Sequence, residues 1–237
     1  MFAKTNVRLE KQTDIRMYDK ARIMSEMLTP KVISILRAMH SDVEKSYYVR
    51  ELANLAKVST WVVSREFTNL AKEGIVQQRS HGREKFFKLN LANPRTRKLC
   101  ELFETERSEK FYQENRRLAW VLEDFTKGVS DFAPEVQSIV LFGSTARGQT
   151  TPRSDIDVLV LVPNSEEDHF KKLMNSIGRL ASEASGRHPA RLVPVVMMTR
   201  DFEQGIKDKK RFATDVVKEG IVLWGQERFY HLLSRVI

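Results

Sequence analysis

The stretch LFGSTARGQTTPRSDIDVLVLV, Leu141 to Val162, restricts the fold more than any other part of the chain. Its last eight residues are a Val- and Leu-rich run broken only by Asp155 and Asp157. A short, β-branched apolar run of this kind reads as a strand buried on both faces. Side chains two apart on a strand point to the same side. Both carboxylates therefore face one spot, while Ile156 and Val158 face the other way. Carboxylates held together repel, and each keeps its proton unless a cation is shared. Mg²⁺ (or Mn²⁺) suits such a pair, because it takes one or two carboxylates and leaves room for water and phosphate oxygens. Asp155 and Asp157 are thus the candidate catalytic and metal-binding residues.

The residues upstream supply the complementary half. SIVLF, 138–142, reads as a buried strand, and Gly143-Ser144 opens a short helical turn after it. Gly143 permits close backbone approach. The N–H groups of the turn, with the Ser144 hydroxyl, suit a phosphate. Gly143, Ser144, Arg147 and Ser154 are the nucleotide-binding candidates, with Arg153 a weaker one. A helix over about 166–184, a strand in RLVPVVMM, helical pieces over 200–220, a strand in IVLW and a last helix complete the region. Strands and helices interleave, which predicts a mixed-sheet α/β domain over 131–237.

An apolar-Gly-Ser step, a gap and then Asp-x-Asp inside an apolar strand resembles the signature of DNA polymerase β-like nucleotidyltransferases, especially the small, minimal members. The likeness spans about 136–225, and its specific part is LFGSTARGQTTPRSDIDVLV. It implies that Gly143-Ser144 binds a nucleoside triphosphate (NTP) and that Asp155 and Asp157 bind divalent metal. Members that transfer nucleotides usually carry a third carboxylate on a later strand. Here the matching strand holds Val193, Pro194 and Val195. Asp201 and Glu203 follow it at a helix start, where an acid has an ordinary capping role.

The N-terminal third has another character. Residues 1–92 hold 17 Lys/Arg against 10 Asp/Glu, while the rest of the chain is close to balanced and the whole carries +9. A basic excess confined to one region is the footprint of a polyanion partner. Val32, Ile35, Leu36 and Met39 follow helical spacing after Thr29-Pro30, and Val49, Leu52, Ala53 and Ala56 repeat it. Ser59 is an N-cap for a third helix with Val63, Phe67 and Leu70 inward, and Gly74 closes it. Two strands, 75–80 and 84–90, follow with Gly82 at their tip. This order resembles winged helix-turn-helix regulators and predicts a double-stranded-DNA-binding domain over 29–92. Thr60, Trp61, Ser64, Arg65 and Thr68 lie on the outer face of the third helix, where side chains reach base edges. Arg79, His81, Arg83 and Lys85 on the hairpin suit phosphates.

Between the two domains, 93–130 reads as a helical connector. Phe111, Asn115, Leu118, Leu122, Phe125 and Val129 form a coiled-coil-like seam. It predicts either a homodimer through a helix over 95–128 or a helix packed on the following domain. Residues 1–28 read as an arm or an extra element. A single Cys100 and scattered His exclude an internal disulfide and a Cys-rich zinc site. The absence of a long apolar run or an apolar N-terminal segment predicts a cytoplasmic protein that does not enter membranes. The expected class is therefore α+β: a winged helix-turn-helix, a helical connector and a nucleotidyltransferase-like domain. Two functions fit. One is a DNA-binding enzyme that transfers a nucleotidyl group from NTP–Mg²⁺ to an unknown acceptor. The other is a transcriptional regulator whose second domain only senses nucleotide or mediates contacts, an antitoxin-like partner role included.

Overall fold

Thr29 starts the helix that follows it, its hydroxyl accepting from the Val32 amide at 3.4 Å. A computed structural model describes residues 27–82, 84–132, 135–149, 154–188 and 190–237. The arm or extra element expected over 1–28 falls almost wholly outside them, as does Arg83. The chain divides into two compact units, one of residues 1–39 and 45–89, the other of residues 40–44 and 90–237. Among the described residues no helix is long and apolar enough to cross a membrane.

The first unit contains helix α1 (Pro30–His40), strand β1 (Tyr47–Tyr48), helices α2 (Val49–Ala56) and α3 (Thr60–Lys72), and strands β2 (Val76–His81) and β3 (Glu84–Leu89). The three strands are antiparallel in the order β1-β3-β2. Helix α3 forms where its capping residue stands: the Ser59 hydroxyl accepts from the Val62 amide at 3.3 Å. Its inward residues Val63, Phe67 and Leu70 are buried with Ile35, Leu36 and Leu52. Phe67 and Phe87 meet edge to face, 5.4 Å between centroids, and tie α3 to the sheet. In β2 only Val76 is buried and the other residues are exposed, while β3 buries Phe87 and Leu89.

The second unit contains α4 (Pro94–Glu114), α5 (Arg116–Ser130), β4 (Ser138–Phe142), the single turn α6 (Gly143–Ala146), β5 (Ile156–Val162), α7 (Glu167–Arg187), β6 (Leu192–Met198), α8 (Thr199–Lys207), α9 (Arg211–Glu219), β7 (Ile221–Trp224) and α10 (Gln226–Leu233). The sheet is mixed, as expected, in the order β6-β5-β4-β7. β4 is antiparallel to both β5 and β7, and β5 is parallel to β6 across the α7 crossover. One sheet face buries Ile139, Leu141, Ile156, Val158 and Val160 against α5 and α7. Alternate residues turn to the other face, where α8, α9 and α10 lie.

The connector differs in one way from the single helix expected over 95–128. It is two helices, α4 and α5, broken at Asn115, whose φ of −124° and ψ of 52° leave the helical region. The broken seam also faces its own unit. Phe111, Leu122, Phe125 and Val129 are buried in the core of the second unit, and Leu118 packs on it. Helical periodicity identified the apolar face, but the sheet of the same chain covers it. This is the second of the two readings of the seam, a helix packed on the following domain.

Candidate functional site

The two aspartates sit at one end of the sheet. Asp157 is the second residue of β5 and pairs with Phe142, the last of β4. Chain reversal is thus complete where Gly143 follows. Gly143 has φ +73°, and a Cβ there would lie 2.4 Å from Asp157 Oδ2. Both the backbone angle and the contact disfavour any other residue. The turn that follows lies directly against the carboxylate pair. Buried Thr145 donates its hydroxyl to the Asp155 carbonyl at 3.4 Å and ties the turn to the start of β5. The amides of Arg147 and Gln149 bond back to Gly143 and Ser144 carbonyls, at 3.3 and 2.9 Å. Ser144 and Ser154 are half-buried beside this turn and strand, and Arg153 lies outside the described residues.

Electrostatics match the geometry. Burial raises the Asp157 carboxyl above the ordinary carboxylate range, the nearby Asp155 charge raises it further, and Arg147 opposes both. Charge repulsion of this kind is relieved by a shared cation. Two oxygen-donor carboxylates on one face, beside a turn with no side chain in the way, fit Mg²⁺ or Mn²⁺ held jointly with phosphate oxygens. Arg147 is itself anchored: its Nη1 lies 3.1 Å from Glu219 Oε2, and its Nε donates to Gln149 at 3.3 Å. Arg107 of α4 fixes that neighbourhood by donating to the Glu219 and Gly220 carbonyls at 2.9 and 2.8 Å.

Among the described residues no third carboxylate joins the pair. β5 and β6 run parallel, with Asp157 beside Val193 and Leu159 beside Val195. Val193 and Val195 share the Asp157 side of the sheet and are half-buried. Asp201 and Glu203 follow the far end of β6, opposite Val162. Five residues of strand, roughly 16 Å, separate that end from Asp157. Asp201 pairs with Arg200 at 3.6 Å, and Glu203 pairs with Arg235. Among the described residues no group of three or more acidic, His or Cys side chains is arranged to hold a metal.

The register also brings in a residue that local sequence patterns do not single out. Ile156 pairs with Leu192, so Arg191 stands beside Asp155. The Ile156 amide donates to the Arg191 carbonyl at 2.8 Å, and Arg191 Nη1 lies 3.6 Å from Asp155 Oδ2. The sequence signal was present only in the pairing of strands separated by a whole helix. Arg107 and Glu219, which come from elements distant in sequence, were missed for the same reason.

In the first unit, Thr60, Trp61 and Arg65 are exposed on α3, and Ser64 and Thr68 are half-buried beside them. The Arg65 guanidinium lies over the Trp61 ring, 4.5 Å from its centroid, and pairs with Glu66. Arg79 and His81 are exposed on β2. Lys85 reaches back to the Thr68 hydroxyl at 3.5 Å, joining the hairpin to α3. A cleft of about 460 Å³ between them is lined by Tyr48, Arg50, Thr60, Trp61, Ser64 and Lys85, among others. Arg50 is its unforeseen cation.

Comparison with known proteins bears on the second unit. Residues 122–221 match the family model of the nucleotidyltransferase domain, a span from α5 to the start of β7. A Sulfolobus solfataricus protein described as a nucleotidyltransferase is 21% identical over 49% of this chain and 86% of its own, with a TM-score of 0.32. A toxin–antitoxin structure with AMP-PNP is 25% identical over 48% of this chain and 80% of its own, with a TM-score of 0.32. NadR in complex with 4-hydroxyphenylacetate is 20% identical over 54% of this chain and 93% of its own, also at 0.32. No curated protein matches. Over residues 122–221 the chain is therefore similar to the nucleotidyltransferase domain family.

Proposed function

We propose that this protein binds DNA through a winged helix-turn-helix first unit and binds a nucleoside triphosphate with Mg²⁺ or Mn²⁺ in the second. The observation that carries the second half is the contact of Gly143 with Asp157, which joins a phosphate-facing turn to a carboxylate pair. Asp155 and Asp157 hold the cation. The amides of the turn and the Ser144 hydroxyl face the phosphates. Arg147, anchored by Glu219, adds positive charge to the same end of the sheet. The bound cation would neutralise phosphate charge and polarise the α-phosphate.

Transfer asks for one thing more: a group that takes the proton of the attacking hydroxyl. β6 offers Val193 and Val195 on that side. The side chains on β6 therefore favour nucleotide binding, as in a regulator, over transfer. A second reading, nucleotidyl transfer to an acceptor hydroxyl, is favoured by the intact set of Gly143, Ser144, Asp155 and Asp157.

For the first unit, the support is the outward row Thr60, Trp61, Ser64, Arg65 and Thr68, which stands opposite the buried Val63, Phe67 and Leu70. The basic hairpin lies next to it and suits the flanking phosphates. One experiment separates the two readings of the second unit. The chain is incubated with each α-labelled NTP, Mn²⁺ or Mg²⁺ and cell extract. Metal-dependent NTP binding without label transfer supports the regulator. Label on an acceptor, lost in Asp155→Ala and Asp157→Ala, supports the transferase. No metal-dependent NTP binding contradicts both.

A further inference from the structure

We infer that Arg191 is a displaceable partner of Asp155 that couples cation binding to phosphate binding. The inference rests on the metal–nucleotide reading above and deepens it. Into and along β6 the alternate positions read Arg191, just before the strand, then Val193 and Val195 on the Asp157 side, a cation followed by two apolar residues. The backbone fixes Arg191 beside Asp155, since Ile156 N–H bonds its carbonyl at 2.8 Å. Its side chain is 78% exposed and reaches Asp155 Oδ2 at 3.6 Å, while the Asp155 side chain is 42% exposed. Such a pair is easily exchanged, because an exposed Arg–carboxylate contact holds by only about 0.2–1 kcal/mol.

The consequence follows from charge. With no divalent ion present, the Arg191 guanidinium partly neutralises the carboxylate pair and competes with an incoming cation. Once a cation takes Asp155, Arg191 loses its partner at the rim of the phosphate-facing turn. A guanidinium presents a planar fork that bonds phosphate in two places. The triphosphate carried by that cation is then its next partner. Arg147 is held by two partners, Glu219 and Gln149, neither of which the cation would occupy. The site therefore favours a cation that arrives with a triphosphate over a free cation.

The test uses the full chain and two probes that need no knowledge of the base: Mn²⁺ alone, followed by electron paramagnetic resonance, and the Mg²⁺–tripolyphosphate complex, followed by calorimetry. In Arg191→Ala, Mn²⁺ alone should bind about two- to fivefold more tightly. The Mg²⁺–tripolyphosphate complex should bind about tenfold more weakly, having lost a charge-assisted partner. Arg191→Lys should fall between wild type and Arg191→Ala on both probes. Shifts of the same sign on the two probes, or no shift on either, overturn the role of Arg191 and leave the metal–nucleotide reading intact. If neither probe binds the wild-type chain, that reading falls and takes the inference with it. Arg191 is exposed, so the substitutions leave the core untouched.

Discussion

Gly143→Ala is the most informative single change in the second unit, because two separate costs fall on one methyl group. Gly143 has φ +73°, a left-handed conformation that an L side chain pays about 1–2 kcal/mol to adopt. The added Cβ would also lie 2.4 Å from Asp157 Oδ2 and 3.3 Å from its Cγ. An ordinary contact is at least 3.4 Å, so the carboxylate must move by roughly 1 Å. Moving it off its rotamer costs about 0.5–1.5 kcal/mol. The total is about 1.5–3.5 kcal/mol, which lowers Tm by about 3–14 °C in a chain of this length. Gly148→Ala is the control. Its φ is +69°, but nothing lies within 4 Å of its Cβ, so it carries the backbone cost alone. Calorimetric melting of the three proteins gives the stability order, and Mn²⁺ titration gives the functional one. A 1 Å displacement is several times the tolerance of a metal–oxygen distance. Gly143→Ala should therefore lose Mn²⁺ binding by tenfold or more, on the order of 1.4 kcal/mol, while Gly148→Ala keeps it. Equal melting and equal Mn²⁺ binding in the two variants would refute the claim that the turn and the carboxylate pair form one site.

Asp157→Asn should stabilise the protein without divalent ions at pH 7. The Asp157 carboxyl is raised in the fold by burial and by Asp155, so its protonated form favours folding and its ionised form opposes it as pH climbs through the folded value. The advantage of the variant should shrink below about pH 4, and the melting shift given by Mg²⁺–NTP in the wild type should be absent; a lower Tm than wild type at pH 7 counts against this. Val193→Asp places a carboxylate beside Asp157 in the register of β5 and β6. It should lower Tm in the absence of cation and tighten Mn²⁺ binding, as titration would show. For DNA, Arg65→Ala should weaken binding at a cognate site by about 1–3 kcal/mol, and Lys85→Ala should reduce the salt slope by about one. A slope unchanged in Lys85→Ala, measured by fluorescence anisotropy across salt concentrations, speaks against a phosphate contact there.

What could be read from the sequence was local. Ser59, Val63, Phe67 and Leu70 define α3 because a cap and a 3.6-residue period act within one helix. Asp155, Asp157 and Gly143 could be read because strand alternation and a chain reversal put them together within a few residues. β1 could not, since two residues make no periodic signal. The seam from Phe111 to Val129 shows the limit of periodicity, which reveals that a face is apolar and not what will cover it. The break at Asn115 falls inside an unbroken helical pattern, held by the bond from its Nδ2 to the Phe111 carbonyl at 3.0 Å. Arg191 becomes legible only once β6 is laid parallel to β5, a pairing across a 21-residue helix. Its role beside Asp155 is a matter of topology.

The central claim is that Asp155, Asp157 and the Gly143 turn hold a cation and a triphosphate together. The direct measurement is a crystal structure of the full chain with Mn²⁺ and a non-hydrolysable NTP, with Mn²⁺ located by its anomalous scattering. The account predicts a peak about 2.0–2.3 Å from oxygens of Asp155, Asp157 and the phosphates, with phosphate oxygens against the amides that follow Gly143. A nucleotide bound elsewhere on the chain, or bound with no Mn²⁺ between the two carboxylates, would contradict it.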